Sequence, residues 1–323
     1  MTSDFYCESF GHVILDEADL PEAQADPEVG HLFRGHSSSY QARKAGVILM
    51  VREDGYYNHQ MCLDDFRKAS YIVKKKTGKR SIFVTDHSPI HKCMGPDSLD
   101  ASKMNKGPGG SQPKMRDTVY SGSIRQSLIF EDGPLKGQAK GLKVVLEERY
   151  GEDFVRGKKK DELADIMAQE EDFLAEKSVL EKQAEERGDQ IVFGVKFHPE
   201  LNPIESVYRG TSKYMREHNV RGSIVGFIKR IEESYEGCGH TIEDIRKYFR
   251  SSDRYLDLYM SGATGDTVVE KMKEVRAKHR GAAALLGEDT PRSSYPRDRQ
   301  FRLGTQAQES SSDETETENG SSE

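Results

Sequence analysis

The order of local patterns along the chain predicts an α/β fold. Two short runs rich in branched aliphatic residues, "FGHVILDE" (10–17) and "AGVILMV" (45–51), read as buried strands separated by a polar, Gly- and Pro-containing loop. "NHQMCLDDFRKASYIVKKKTG" (58–78) reads as a helix, with Met61, Phe66, Ala69 and Ile72 or Val73 recurring at three- to five-residue spacing and Gly78 ending it. "RSIFVTD" (80–86) then returns as a strand that closes on Asp86. Strand, strand, helix, strand is the opening of a layered α/β domain.

Downstream the pattern changes. Residues 95–136 are rich in Gly, Pro, Lys and Arg and read as a long loop. Helices are expected over 138–150 and 158–187, the second with Leu163, Ile166, Met167, Phe173, Leu174, Leu180 and Ala184 on one stripe. "QIVFGVK" (190–196) reads as a strand, 202–218 as a helix, and three further helices are expected at about 222–235, 241–260 and 264–280. Beyond Gly281 the Ser/Glu/Thr/Arg/Pro composition predicts disorder. Four regions follow: 1–87, the first part of the core; 88–189, an insertion; 190–281, the last core strand with the C-terminal helices; and 282–323, an acidic tail.

Bulk properties narrow the class. The net charge of −7 misleads, because residues 309–323 hold six acids and no base, leaving the rest near −1. Local basic clusters at 74–80 and 156–160 read first as solvated helix ends. Cys7, Cys62, Cys93 and Cys238 are far apart, which argues against a disulfide framework or a structural zinc site and fits a reducing compartment. No apolar run reaches membrane-span length and no leader opens the chain, so an intracellular soluble protein without membrane partners is expected.

Two carboxylates carry the chemistry. Asp86 ends a strand, and ligands of open α/β sheets gather beyond the carboxyl ends of strands. Glu205 lies in "FHPELNPIE" (197–205), directly after another expected strand. Local physics gives it a plain role: Asn202 as N-cap, Pro203 at the first helical position, and Glu205 reaching back in a capping box. If the two strands are neighbours, the two acids converge instead, and hard oxygen ligands suit Mg²⁺ or Mn²⁺.

"IFVTDHSPIH" (82–91) followed by "FHPELNPIE" resembles the DDE-superfamily endonucleases, the mariner-like transposases with an RNase H-like fold. The similarity is strongest to a eukaryotic branch with a long insert between the second and third acidic residues. "SLDASKMNKGPGGSQPKMRDTV", "KGLKVVLEER", "DFLAEKSVLEKQAEERG" and "EKMKEVRAKHRG" resemble that branch's segments in order, over residues 3–281. The resemblance implies an RNase H-like mixed sheet flanked by helices, with a helical and loop insertion and a helical C-terminal part. It matches Asp86 to the second metal-binding aspartate, Glu205 to the terminal glutamate, and His91 to a histidine supporting the site. It also implies Mg²⁺ or Mn²⁺, a DNA partner and a nuclear location, with homo-oligomerisation left open. "TSDFYCESFGHVILDE" (2–17) resembles the family's second strand and turn, so the strand bearing the first catalytic aspartate and the N-terminal DNA-binding module are expected to be missing. A site without the aspartate that bridges both ions is expected to be catalytically defective. The family's paired insert cysteines have no counterpart in 94–237, so no zinc knuckle is expected.

The leading expectation is therefore a transposase-derived nucleic-acid-binding remnant, with Lys103, Lys106, Lys114 and Arg116 in the Gly/Pro loop as phosphate contacts. A solvated loop is the plain reading of those four. Two alternatives stand beside it: an active endonuclease with Asp16 as third ligand, and a non-catalytic interaction protein working through its helices. His87 and His91 are kept off one helical face by Pro89, His198 reads as a structural histidine, and "CGH" (238–240) as a helix–helix turn.

Overall fold

Short strands alternate with amphipathic helices, as the pattern predicts. A computed structural model describes residues 2–35, 41–218, 223–237 and 240–278. The chain divides into two compact units, residues 1–268 and 269–323. Of the second unit only 269–278 are described; they form the last part of a helix, Gly265–Lys278.

Strands β1 (Thr2–Asp4), β2 (Tyr6–Cys7), β3 (Gly11–His12) and β4 (Gly46–Ile48) form two antiparallel pairs, β1 with β4 and β2 with β3. The strand expected over 10–17 shrinks to β3 and a single bridge from Ile14 to Lys44. After α1 (Leu20–Ala25), the strand expected over 45–51 stops early. At Val51 the chain winds into one turn, α2 (Val51–Asp54), because the Asp54 carboxylate accepts from the Met50 N–H at 2.8 Å.

Helix α3 (His59–Thr77) has both caps written in the sequence. The Asn58 side chain accepts from Met61 N at 3.1 Å, and Gly78 takes φ +66°, its N–H bonding Lys74 O at 2.8 Å. Its inner face splits between two clusters. Ala69 and Ile72 pack with Val13, Leu15 and Phe33; Cys62, Leu63 and Phe66 pack with Leu180. The lysines at its end are ion-paired, Lys75 with Glu22 at 2.7 Å and Lys76 with Asp16 at 2.6 Å.

β5 (Ile82–Thr85) follows, and then the insertion. Its first stretch, 95–136, is not a free loop. A 3-10 turn at Ala101–Lys103 and a hairpin of β6 (Thr118–Tyr120) and β7 (Ile124–Gln126) order it. Leu99, Met104, Met115 and Leu128 are buried against Leu142 and Leu146 of α4 (Gly141–Tyr150). At Gly141, φ +79° and the proximity of Gly107 O, 2.3 Å from where a Cβ would stand, leave no room for a side chain. The helix expected over 158–187 is broken: after α5 (Glu152–Val155) come α6 (Lys160–Ala168), α7 (Glu171–Leu174) and α8 (Val179–Glu186). Ser178 starts α8 afresh, its Oγ accepting from Glu181 N at 3.2 Å while Glu181 reaches back to Ser178 N at 2.8 Å. The break lets one stripe serve two cores: Leu163, Met167 and Phe173 face the insertion, and Leu180 faces α3.

β8 (Gln190–Phe193) then pairs with β5 in parallel, Ile82 opposite Gln190 and Thr85 opposite Phe193. Asp189 locks this register, its carboxylate accepting from Ser81 N at 2.7 Å and from the Ser70 hydroxyl. Phe83 lies between Phe66, 5.1 Å away between ring centroids, and Phe5, 6.1 Å away, so α3 covers one face of the pair. The described strands form four separate two-stranded pairs, where one continuous mixed sheet is expected. A 3-10 turn (Pro199–Leu201) leads into α9 (Ile204–Glu217), α10 (Ile224–Gly237), α11 (Ile242–Met260) and α12 (Gly265–Lys278), all within a few residues of their predicted bounds. The acidic tail (282–323) and Cys238 and Gly239 of the expected turn lie outside the described residues. Among the described residues no helix is long and apolar enough to cross a membrane.

Candidate metal and nucleic-acid site

Parallel pairing of β5 and β8 brings both carboxyl ends to one rim. Asp86 directly follows β5, and the chain leaving β8 runs through Gly194–His198 into the 3-10 turn and α9. Asp86 and Glu205 line one cleft of about 480 Å³, together with His87, Lys196 and His198. Hydrogen bonds hold the rim at both ends. Gly194 N–H donates to Thr85 O at 2.7 Å, and His87 Nε2 lies 2.6 Å from Gly194 O. On the far side the Ser252 hydroxyl donates to Glu200 O at 3.0 Å, and the Tyr259 hydroxyl to Glu200 Oε1 at 2.6 Å.

The two carboxylates are held differently. Asp86 Oδ1 accepts from Ser88 N at 3.0 Å and faces His91 Nδ1 at 2.7 Å, which also lies 2.9 Å from Thr85 Oγ1. Oδ2 has no partner among the described residues. Glu205 does not form the expected capping box. Pro203, not Asn202, is the N-cap of α9, and no side chain caps the helix. The reason is the turn before it: Pro199–Leu201 closes with Asn202 N–H on Pro199 O at 3.0 Å, so Asn202 ends that turn and offers α9 only its backbone oxygen, 3.2 Å from Glu205 N. The Glu205 carboxylate is left exposed in the first turn, where the helix dipole favours negative charge.

This donor set fits a divalent hard cation. Mg²⁺ and Mn²⁺ take one or two carboxylates, keep several waters and complete their shell with phosphate oxygens. Asp86 Oδ2 and the Glu205 carboxylate are the groups that would hold such an ion, with His91 orienting Asp86 from behind. Among the described residues no three or more His, Cys, Asp or Glu side chains converge as a ready-made metal cage.

The other expected residues lie elsewhere. Asp16 is 64 % exposed and paired with Lys76 in the last turn of α3, at the end where β5 begins; it does not line the cleft. Lys103 pairs with Asp100 at 3.2 Å. Arg116 is bound to Glu176, a buried carboxylate that also takes Lys182 at 2.6 Å, so Arg116 serves the insertion's own packing. Lys106 and Lys114 are exposed, and none of these four basic residues lines the cleft. His198 does line it, its Nδ1 2.7 Å from Glu200 Oε1. Burial would raise the Glu200 carboxyl, but bonds from Tyr259 and His198 outweigh it and hold the group below its ordinary value. The bond to Glu200 in turn pushes the Tyr259 phenol up to about 12.

Three further residues near the site were not among those expected there. Asp4 is fully buried against Lys44 Nζ at 2.6 Å, the Tyr235 hydroxyl at 2.8 Å and His12 Nε2 at 3.2 Å. Burial would raise its pKa; Lys44 and His12 more than offset this and lower it. Tyr208 links that cluster to the cleft: burial, then the Asp4 and Glu205 charges, push its phenol above the ordinary value. The sequence cue for Tyr208 is its spacing, one turn after Glu205 on the same helix face. The third is Phe197, on the rim, 96 % exposed. Compared with family models, curated proteins and solved structures, the chain matches none.

Proposed function

We propose that this chain is a transposase-derived nucleic-acid-binding domain of the DDE endonuclease type, built on an RNase H-like core, whose cleft takes Mg²⁺ or Mn²⁺ between Asp86 and Glu205. One observation carries the reading: two carboxylates 119 positions apart in sequence, with their outer oxygens free, line a single cleft at the carboxyl ends of neighbouring parallel strands. In phosphoryl transfer by two ions, one ion activates the attacking oxygen and the other stabilises the leaving one, so the site must clamp both. Two carboxylates support holding an ion and a phosphate better than clamping an ion pair, so binding rather than strand cleavage is the proposed activity. The alternative with Asp16 as third ligand is disfavoured by that residue's pairing with Lys76.

Titration calorimetry with Mn²⁺, in the presence of duplex DNA, tests this. Asp86→Asn and Glu205→Gln should each weaken Mn²⁺ binding at least tenfold; equal affinity in both variants overturns the metal assignment. Incubation of plasmid DNA with Mg²⁺ or Mn²⁺ should give no nicks, and chelator-sensitive nicking overturns the assignment as a binder.

A further inference from the structure

The rim of the cleft holds a residue that folding does not explain. Val195–His198 is a turn closed by His198 N–H on Val195 O at 3.3 Å, and Phe197 occupies its third position with φ +64°. That position calls for glycine, because a side chain there is strained. A bulky residue in such a conformation is a marker of function when its surroundings force it. Here they do. Gly194 is tied to Thr85 and His87 on one side, and Glu200 to Ser252 and Tyr259 on the other, so the turn is held at both ends. The benzyl group projects from this frame 96 % exposed, with no ring stacked on it among the described residues. Lys196 stands beside it and His198 follows it, both lining the same cleft as the carboxylates.

We propose that Phe197 is a stacking platform for an unpaired nucleobase of single-stranded nucleic acid, with Lys196 meeting the neighbouring phosphate. The ring is open on both faces, and the turn that carries it is held at both ends, so a flat partner can stack on it without the backbone having to be ordered. Every base offers a π-face, so the contact is tolerant of sequence, but inside a duplex both faces are already covered. The adjacent ammonium supplies the charge match that an apolar protein partner would lack. This deepens the nucleic-acid reading above, naming the form of the ligand at that site.

The protein contains no tryptophan, so Phe197→Trp introduces a single tryptophan, excited selectively over the tyrosines, whose emission stacking would quench. Oligo(dT) should quench it, and an abasic strand of equal length and charge should not. Phe197→Ala should weaken oligo(dT) binding roughly ten- to a hundredfold, the range of one lost base stack, and leave abasic binding unchanged. Phe197→Gly should lose the same affinity with no fall in melting temperature, since it relieves the strained turn; this separates lost stacking from lost folding. Oligo(dT) binding unchanged in Phe197→Ala, or a blunt duplex competing as well as oligo(dT), overturns the platform while the metal assignment stands. Intact stacking together with unaltered Mn²⁺ binding in Asp86→Asn and Glu205→Gln overturns the metal assignment alone. A wild-type chain that binds neither oligo(dT) nor duplex DNA overturns the platform together with the nucleic-acid reading on which it rests.

Discussion

His91 Nδ1 lies 2.7 Å from Asp86 Oδ1, five positions along the chain, in a turn closed by the Lys92 N–H on Ser88 O at 3.2 Å. The bond occupies one carboxylate oxygen and aims the other, so the exposed Asp86 is oriented rather than free to rotate. His91 is itself steadied by Thr85 and by the Phe66 ring, 5.9 Å away between centroids. Partners of this kind typically change metal affinity by about 10- to 100-fold. His91→Ala should therefore weaken Mn²⁺ binding by that order while leaving the melting temperature nearly unchanged; calorimetry and thermal unfolding read the two separately.

Asp4 and Lys44 form an ion pair with both side chains almost wholly inaccessible. Lys44→Met should destabilise the chain by about 3–5 kcal/mol, because Asp4 is left charged and buried without its cation. Adding Asp4→Asn should recover much of that loss. Denaturant titration of the three variants checks it. The pair also has a pH signature: the folded pKa of Asp4 is lowered, so its contribution is present above the ordinary carboxylate range and is lost as pH falls through the folded value.

Asp65 behaves in the opposite sense. Burial raises its carboxyl to about 7, despite the hydrogen bond from the Tyr57 hydroxyl at 2.8 Å. From about pH 4 to pH 7 the folded chain keeps a proton that the unfolded chain has released. Stability should fall as pH rises through this window, at about 1.4 kcal/mol per pH unit from this group. Asp65→Asn should remove that slope, so the variant gains on the wild type as pH increases; unfolding curves at pH 4.5 and pH 7.5, values chosen to lie roughly at the two ends of the window, measure the difference.

Arg149 clamps the insertion. Its guanidinium, with no exposed side-chain surface, meets Asp172 Oδ2 at 2.7 Å and Glu170 Oε2 at 2.8 Å, and its Nε donates to Gln126 Oε1 at 2.8 Å. It ties α4 to α7 and to the hairpin. A lysine cannot reproduce this fork, so Arg149→Lys should cost nearly as much as Arg149→Met, about 3–5 kcal/mol. Hydrogen exchange should show the loss first in 95–174, where the insertion's core lies.

Elements with local signals were legible. Asn58 and Gly78 bound α3 within a residue of the expected 58–78, because both caps act within one turn of the chain. The β-branched run before Asp86 and the run before Gly194 likewise became strands. Elements that depend on distant partners were not. The stripe from Leu163 to Leu180 reads as one helix, yet it divides, because its two halves bury against different cores. Residues 95–136 look like a loop since their apolar residues are sparse and aperiodic; Met104 and Met115 reach a core only when α4 and α6 close over them. Glu205 illustrates a different limit, competition between two local signals. Its spacing from Asn202 and Pro203 satisfies every local rule for a capping box, and a preceding 3-10 turn takes Asn202 out of it.

The residues themselves determined the alternation of strand and helix, the caps of α3 and the presence of acids at Asp86 and Glu205, since each of these depends on neighbours a few positions away. Tertiary structure alone decided that β5 lies beside β8, that Asp16 is bound by Lys76 at the far end of α3, and that Phe197 stands exposed above the cleft. Such relations join segments separated by up to a hundred residues or more, and only the burial of a shared core brings those segments together.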